Sequence, residues 1–389
     1  MKVFSLTLLG FECFRDLLKC KYPVYSNEVH IKAGIDWLCR AQNISDDNGV
    51  SAWFSLVNGW QPSYIETTGY IINTFLDVSK KMNQPELKKR AIKMADFLIL
   101  MQHELGGYRT AVPSRGAKSV PTVFNTGQDL LGLTDVYTLT KNRKYLHSAT
   151  RAADFLLSIQ ESDGSWLKYT YGMMKHTYHT RVAWGILKVW QISGKKKYLN
   201  AAKKNLSWAE KQQQKNGWFT QNHLPLPNPK VPYTHTIAYA IEGFLWSGLI
   251  LKNQKYLDIA AKGALPLANY YLCHDLLPGT FDQDWKSRDE YTCLTGDAQM
   301  ALIWLELYKV THKVTFLEAA QKMLLFLKST QPTGSTVHLD IRGGIKGSLP
   351  IFGDILHNSG YCRLAYLNWS TKFFLDALLV EDQIIKLQK

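Results

Sequence analysis

A chain of 389 residues, 46% of them apolar, is long enough to bury a large core. Its net charge of +14 favours anionic partners or a well-solvated basic surface, but it has no zinc-finger spacing, no RNP-type motif and no long basic arm, which argues against nucleic acid. Six cysteines without a CxxC pair are too sparse for a disulfide scaffold and point to reduced thiols in the cytoplasm.

The first apolar stretch, Val3 to Phe14, contains Glu12, lacks a small-residue cleavage site and is far too short to cross a membrane. Residues 1–27 are expected to form an N-terminal extension packed on the rest of the chain. From there two kinds of helix alternate. Glu28–Gln42 is amphipathic, whereas Tyr64–Met82 has few charges and many small residues. Leu87–Gln102 is of the first kind and Asn125–Lys141 of the second. Lys144–Gln160 and Tyr178–Gly194 follow, then Lys197–Gln213 and Tyr233–Leu251, Lys255–Tyr271 and Leu294–Thr311, Phe316–Gln331 and Gly360–Val380.

In Lys144–Gln160 the residues Tyr145, Leu146, Ala149, Ala152, Ala153, Leu156 and Leu157 form one stripe, with Lys and Arg opposite. Helices of this first kind are outer helices, wet on one face. Small residues in the second kind let helices approach closely, as an inner ring requires. Pairs recur every roughly 55 to 60 residues. The expectation is a single all-α domain over residues 1–389, an (α/α)6 toroid of six helical hairpins. Loops leading into the inner helices are long and carry Gly, Pro and Trp, while loops leaving them are short, so function is expected on the long-loop rim.

Nearly every inner helix is apolar along its body and polar in its first turn. Six helix N-termini pointing one way favour anionic groups on a ligand. Candidate catalytic residues are Glu66, Asp129, His179, His235 and Asp297. Paired carboxylates suit glycosidic chemistry, with one acid and one base or nucleophile, and histidine titrates near neutrality. Glu66, Asp129 and Asp297 also suit N-terminal capping. Candidate substrate-binding residues are Trp60, Gln128, Tyr178, Arg181, Tyr233, Tyr239, Tyr291, Arg342 and Lys346. Arg181, Arg342 and Lys346 are the cations that would neutralise a substrate carboxylate. Tyr64, Thr67, Asn125, Gln299, Asp354, His357 and Tyr361 accompany them in first turns and adjoining loops. The loop aromatics Trp53, Trp166, Tyr169, Tyr171, Trp218 and Trp285 suit either stacking on sugar faces or loop packing. Gly343 to Ser348 has the composition of an anion nest. The pattern indicates no cofactor and no metal site.

The segment Arg151 to Gln160, followed by Asp163-Gly164-Ser165-Trp166, resembles the repeat of squalene cyclases and protein prenyltransferases. Phe97-Leu98 to Gln102 with Gly106-Gly107-Tyr108, and Trp37-Leu38 to Gln42, look like weaker copies. The resemblance implies the α/α-toroid superfamily, which also holds six-hairpin glycosidases, glycan lyases and sugar epimerases. The terpene chemistry is not carried over. There is no DxDD acid motif, Asp289 and Cys293 do not reproduce the prenyltransferase zinc pattern, and Cys273-His274 lacks the second cysteine motif of lanthionine cyclases.

The function expected is therefore that of a carbohydrate-active enzyme on an acidic or activated sugar or polysaccharide, by hydrolysis, elimination or epimerisation. A terpenoid-cyclase-like or prenyltransferase-like enzyme and a non-catalytic glycan-binding toroid are the alternatives. A deep hole lined by Phe and Trp with one acid would favour isoprenoid. An open cleft with several carboxylates, Arg and Tyr would favour sugar.

Overall fold

The structure is a computed structural model that describes residues 2–109, 120–224 and 231–387. Among these residues there are thirteen α-helices. The first, α1 (Lys2–Leu17), stands apart. The outer helices are α2 (Asn27–Asn43), α4 (Pro85–Met101), α6 (Arg143–Ser158), α8 (Lys196–Glu210), α10 (Gln254–His274) and α12 (Val314–Thr330). The inner helices are α3 (Ile65–Met82), α5 (Val123–Thr140), α7 (Thr180–Ser193), α9 (Thr234–Leu251), α11 (Leu294–Thr311) and α13 (Asn368–Leu387).

Each inner helix packs on the next, and α13 packs on α3, so the inner ring closes. Each outer helix packs on the inner helix that precedes it, except α2, which packs on α13. The first outer helix therefore completes the last hairpin and ties the two ends of the toroid together. Close approach explains the glycines of the inner ring. A Cβ on Gly185 would lie 2.3 Å from the Gly127 carbonyl oxygen, and one on Gly132 would lie 2.1 Å from that of Gly69. Backbone oxygens held inside a helix cannot retreat, so neither position accepts a side chain.

The glutamine of the repeat is a staple between hairpins. The Gln102 amide donates to Gly106 O in its own turn (2.7 Å) and to Ser148 O on the next outer helix (2.9 Å). Gln160 bridges Gly164 O and Ala201 O, both at 3.0 Å. Gln213 bridges Gly217 O and Ile259 O, and Gln42 bridges Asn48 O and Arg90 O. Gln331 closes the ring by joining Gly343 O (2.8 Å) to His30 O (3.3 Å) on α2. In four of these turns a glycine has positive φ, as at Gly164 (93°) and Gly217 (91°), and sits against the next outer helix, while Asn48 takes that place after Gln42. The repeat resemblance thus marks scaffold, not chemistry. Between α10 and α12, where Tyr271 replaces the glutamine, Asp275 pairs with Lys322 instead.

Five inner helices end in a residue with left-handed backbone, Asn83, Lys141, Gly194, Lys252 and His312. Its N–H returns to the last helical turn, and the next outer helix begins at once. At the other rim the chain forms short strands. Trp53–Ser55 pairs with Gly59–Trp60 and with Ala365–Leu367, which in turn pairs with Ile345–Lys346. This sheet spans the seam between the first and last hairpins. It corrects the last inner helix, expected from Gly360: residues 365–367 are strand and the helix starts at Asn368.

The N-terminal extension is tied to the same seam. Glu12 is fully buried, accepts hydrogen bonds from Tyr22 (2.9 Å) and Tyr366 (2.7 Å), and pairs with Lys346 at 2.9 Å. Asp16 accepts from Lys346 and from the Ile351 N–H, both at 2.7 Å. No described helix is long and apolar enough to cross a membrane.

Removing the closing staple tests this account. Gln331 is fully buried, so Gln331→Ala leaves the carbonyls of His30 and Gly343 without their partner. A loss of about 1–3 kcal/mol is expected in urea denaturation. An unchanged midpoint at unchanged slope would show that the staple contributes nothing.

Candidate active site

On the long-loop rim the lumen opens into a cavity of about 320 Å³. Its walls are built from first turns and the loops before them. Tyr64, Glu66, Thr67 and Tyr70 come from the start of α3, Phe124 from α5, and His235, Thr236 and Tyr239 from α9. Loops add Tyr171, Tyr178, Leu224 and Tyr361, and α13 adds Trp369.

Glu66 is the carboxylate in this lining. It is 7% exposed, and burial pushes its pKa up to about 7. The Tyr64 hydroxyl, donating at 3.1 Å, and the charge of Arg181 oppose the rise. His235 goes the other way. Burial pushes its pKa down to about 3, so the imidazole is neutral at physiological pH.

The floor explains the His235 tautomer. Arg181 and Glu242, each 1% exposed at the side chain, form a buried ion pair inside the inner ring. The Arg181 Nε donates to Gln128 at 2.6 Å, and its guanidinium lies 4.8 to 5.4 Å from the ring centres of Tyr239, Trp184, Phe373 and Tyr70. The Gln299 amide N–H₂ donates to Glu242 at 3.2 Å, which turns its carbonyl oxygen to His235 Nδ1. Nδ1 therefore carries the proton, and Nε2 is left as an acceptor.

Of the candidates read from the sequence, Glu66, Tyr178, His235 and Tyr239 meet in this lining. Arg181 and Gln128 lie beneath it, and Arg181 is committed to Glu242 rather than free for a ligand carboxylate. Tyr233 stands just behind, edge-on to Tyr361 at 5.2 Å.

The others are placed elsewhere, which corrects the expectation that equivalent first-turn positions converge. Asp129 is buried against Gly69 of α3, with both oxygens unpaired. Burial raises its pKa well above the carboxylate range. Asp297 is buried too and accepts from the Thr292 hydroxyl at 2.5 Å. Neither caps its helix. His179 is enclosed by Phe124, Trp166, His176 and Tyr178, with neither ring nitrogen partnered. Tyr291 covers Gly279. Trp60 donates to Asp340 at 3.0 Å and packs on Trp37 in the seam sheet. Arg342 donates to Ser335 O, and Lys346 is held by Glu12 and Asp16. Residues 345–346 are strand, not a nest. Trp166 and Trp218 serve loop packing, the first donating to Leu156 O at 2.9 Å, the second edge-on to Trp285.

Sequence reading missed Tyr70, Phe124, Leu224, Thr236 and Trp369. The signal for Tyr70 was present, since it follows Glu66 by one helical turn and shares its face. Among the described residues no group of three or more His, Cys, Asp or Glu side chains is disposed to hold a metal.

The raised Glu66 pKa predicts a pH signature. The folded state holds this proton more tightly than the unfolded chain, so the associated stabilisation is complete below about pH 4.5 and is lost as pH rises through about 7. Relative to Glu66→Gln, the wild type should lose on the order of 3 kcal/mol between pH 4.5 and 8. Parallel stability curves for the two proteins would contradict the placement of Glu66.

Comparison with known proteins shows the same fold. Among solved structures, an unsaturated glucuronyl hydrolase specific for heparin aligns with TM-score 0.73 at 17% identity, over 92% of this chain and 97% of that one. A cellobiose 2-epimerase from Bacillus thermoamylovorans aligns with TM-score 0.68 at 12% identity, over 97% and 99%. A D-mannose isomerase aligns with TM-score 0.69 at 14% identity, over 92% and 97%. At such identities these structures share the fold. No curated protein matches the sequence. The profile of the catalytic domain of the GH127 β-L-arabinofuranosidases matches residues 41–263, more than half of the chain. The chain belongs to this glycoside hydrolase family and is a carbohydrate-active enzyme of the α/α-toroid type.

Proposed function

We propose that the tyrosine-lined cavity is the active site of a glycoside hydrolase and that Glu66 is its general acid. One observation carries this reading. A carboxyl with a pKa near 7 stands in a wall of tyrosines, one of which, Tyr178, has a buried hydroxyl with no protein partner. A group of that pKa is half protonated at neutral pH and both gives and takes a proton readily.

The cavity sits at the lower end of the range of about 300–1,000 Å³ usual for small-molecule sites, which suits a terminal sugar unit. The family description supplies the sugar to test first, a β-L-arabinofuranosyl group. No Lys or Arg is part of the lining among the described residues, which favours a neutral sugar over the anionic one suggested by the net charge. Tyrosine faces pack against the C–H face of a sugar ring, and hydroxyls of tyrosine with Nε2 of His235 exchange hydrogen bonds with its OH groups. The cavity has one acid, as an isoprenoid site would, but its aromatics are mainly tyrosines, and that polarity suits a polyol.

In the proposed reaction Glu66 gives its proton to the glycosidic oxygen, whose bond to the anomeric carbon breaks. Positive charge growing on the sugar faces the surrounding tyrosine rings. Water then bonds to the anomeric carbon and returns a proton to the ionised Glu66. A single residue thus does the work that two carboxylates share in most glycosidases. The six unbridged cysteines support a cytoplasmic location.

Assay of Glu66→Gln against aryl β-L-arabinofuranoside and a panel of other neutral glycosides tests the role. Turnover should fall about 10²–10⁴-fold, while the sugar-induced rise in melting temperature persists. Wild-type kcat/KM should decline above about pH 7, where Glu66 loses its proton. Wild-type-like turnover in the variant would remove Glu66 from the mechanism. Epimerised reducing sugar with no cleavage of any glycoside would replace hydrolysis by epimerisation. A melting shift with isoprenyl diphosphates alone would assign the cavity to that class of ligand.

A further inference from the structure

The lumen of the toroid has a second mouth. At the short-loop end it widens into a basin of about 720 Å³, lined throughout by residues of the six inner helices. The Arg181–Glu242 pair separates it from the cavity above and lines its floor.

Three features of this basin go unused by the reaction proposed above. First, the floor is incompletely paired. Arg181 Nη2 and Glu242 Oε1 are buried and have no protein partner, although the residues are held rigidly by Gln128, Gln299 and each other. An unpaired donor on one member of the pair and an unpaired acceptor on the other are matched by a hydroxyl group, which both accepts and donates. Second, one wall carries an aromatic platform. Trp184 of α7 and Trp246 of α9 are stacked, with ring centres 5.4 Å apart and planes 17° apart, and both are half-buried. Third, the charges balance. Six cationic and six anionic side chains line the basin, and several are paired across helices, as Lys188 with Asp135 (2.6 Å) and Lys81 with Asp382. A surface of this kind offers many donors and acceptors without attracting an ion of either sign.

We propose that this basin is a second binding site, for a neutral polyhydroxylated ligand, and that an oligosaccharide is the class it takes. The sugar lies against the Trp184–Trp246 platform, and one hydroxyl reaches the floor to bridge Arg181 and Glu242. The inference stands on the geometry of this end alone and does not depend on what Glu66 does in the cavity above.

The test is isothermal titration of the full chain with maltotriose and with an arabino-trisaccharide, before and after Trp246→Ala. Trp246 is outside the upper cavity, so turnover and its pH profile should be unchanged while one binding event weakens at least tenfold. Should Trp246→Ala melt early, Gln191→Trp gives a second route: Gln191 lies in the basin lining at an exposed position, and an indole there blocks the mouth and should abolish the same event. Isotherms unaltered by these variants, or no saturable binding up to millimolar sugar, would overturn the proposal. Tighter binding of spermine or inositol hexakisphosphate than of either trisaccharide would overturn the neutral-ligand class.

Discussion

A single buried ion pair inside the inner ring organises the lumen of this protein. Arg181 and Glu242 come from adjacent inner helices and pair in the buried interior of the ring. A pair so deeply buried is not a large source of stability, because removing two charges from water offsets most of the attraction between them. Its consequence is positional. It plugs the lumen, gives the cavity a floor and gives the opposite basin a floor of its own. Through Gln299 it also sets which nitrogen of His235 bears the proton. Four aromatic rings around the guanidinium keep it in place and replace part of its lost hydration.

The two ends of the barrel differ for reasons that begin in the backbone. Left-handed C-caps turn the chain back within a residue or two, so the short-loop end is formed by the helices themselves. At the other end the chain has length to spare, and it spends that length on strands, on the seam sheet and on loops that deliver Tyr171, Tyr178 and Tyr361 to the cavity. A rim assembled from separate loops can change its side chains without disturbing the ring, which is consistent with one toroid being shared by hydrolases, epimerases and isomerases. The glutamine staples tie adjoining hairpins together.

Burial separates the titrating groups. Glu66 and His235 share one cavity, yet the same loss of water raises one pKa and lowers the other, because it disfavours the anion in the first case and the cation in the second. Both residues are uncharged in the lower part of the neutral range. Burial also raises the pKa values of Asp129 and Asp297, but Asp129 lies against Gly69 and Asp297 accepts from Thr292, so neither belongs to the cavity lining.

The sequence by itself determined the ring. Alternation of amphipathic and small-residue helices, the glutamine and glycine at the end of most outer helices, and polar first turns on the inner ones are local properties, and periodicity exposes them. It also pointed to the rim that holds the cavity, because loop lengths are visible in the chain. It did not determine which first-turn residue faces the lumen. Glu66, Asp129 and Asp297 look equivalent along the chain, but their directions depend on the rotation of each helix against its neighbours, and a residue displaced by one position turns by about 100°. Only the packed ring decides that Glu66 enters the cavity while Asp129 meets Gly69. The same holds for the cations. Arg181, Arg342 and Lys346 were indistinguishable as partners for an anionic ligand until tertiary contacts gave Lys346 to Glu12 and Asp16, and Arg181 to Glu242. Those partners lie far away in sequence, and charge pairing over such distances is settled by the fold, since nothing in local spacing encodes it.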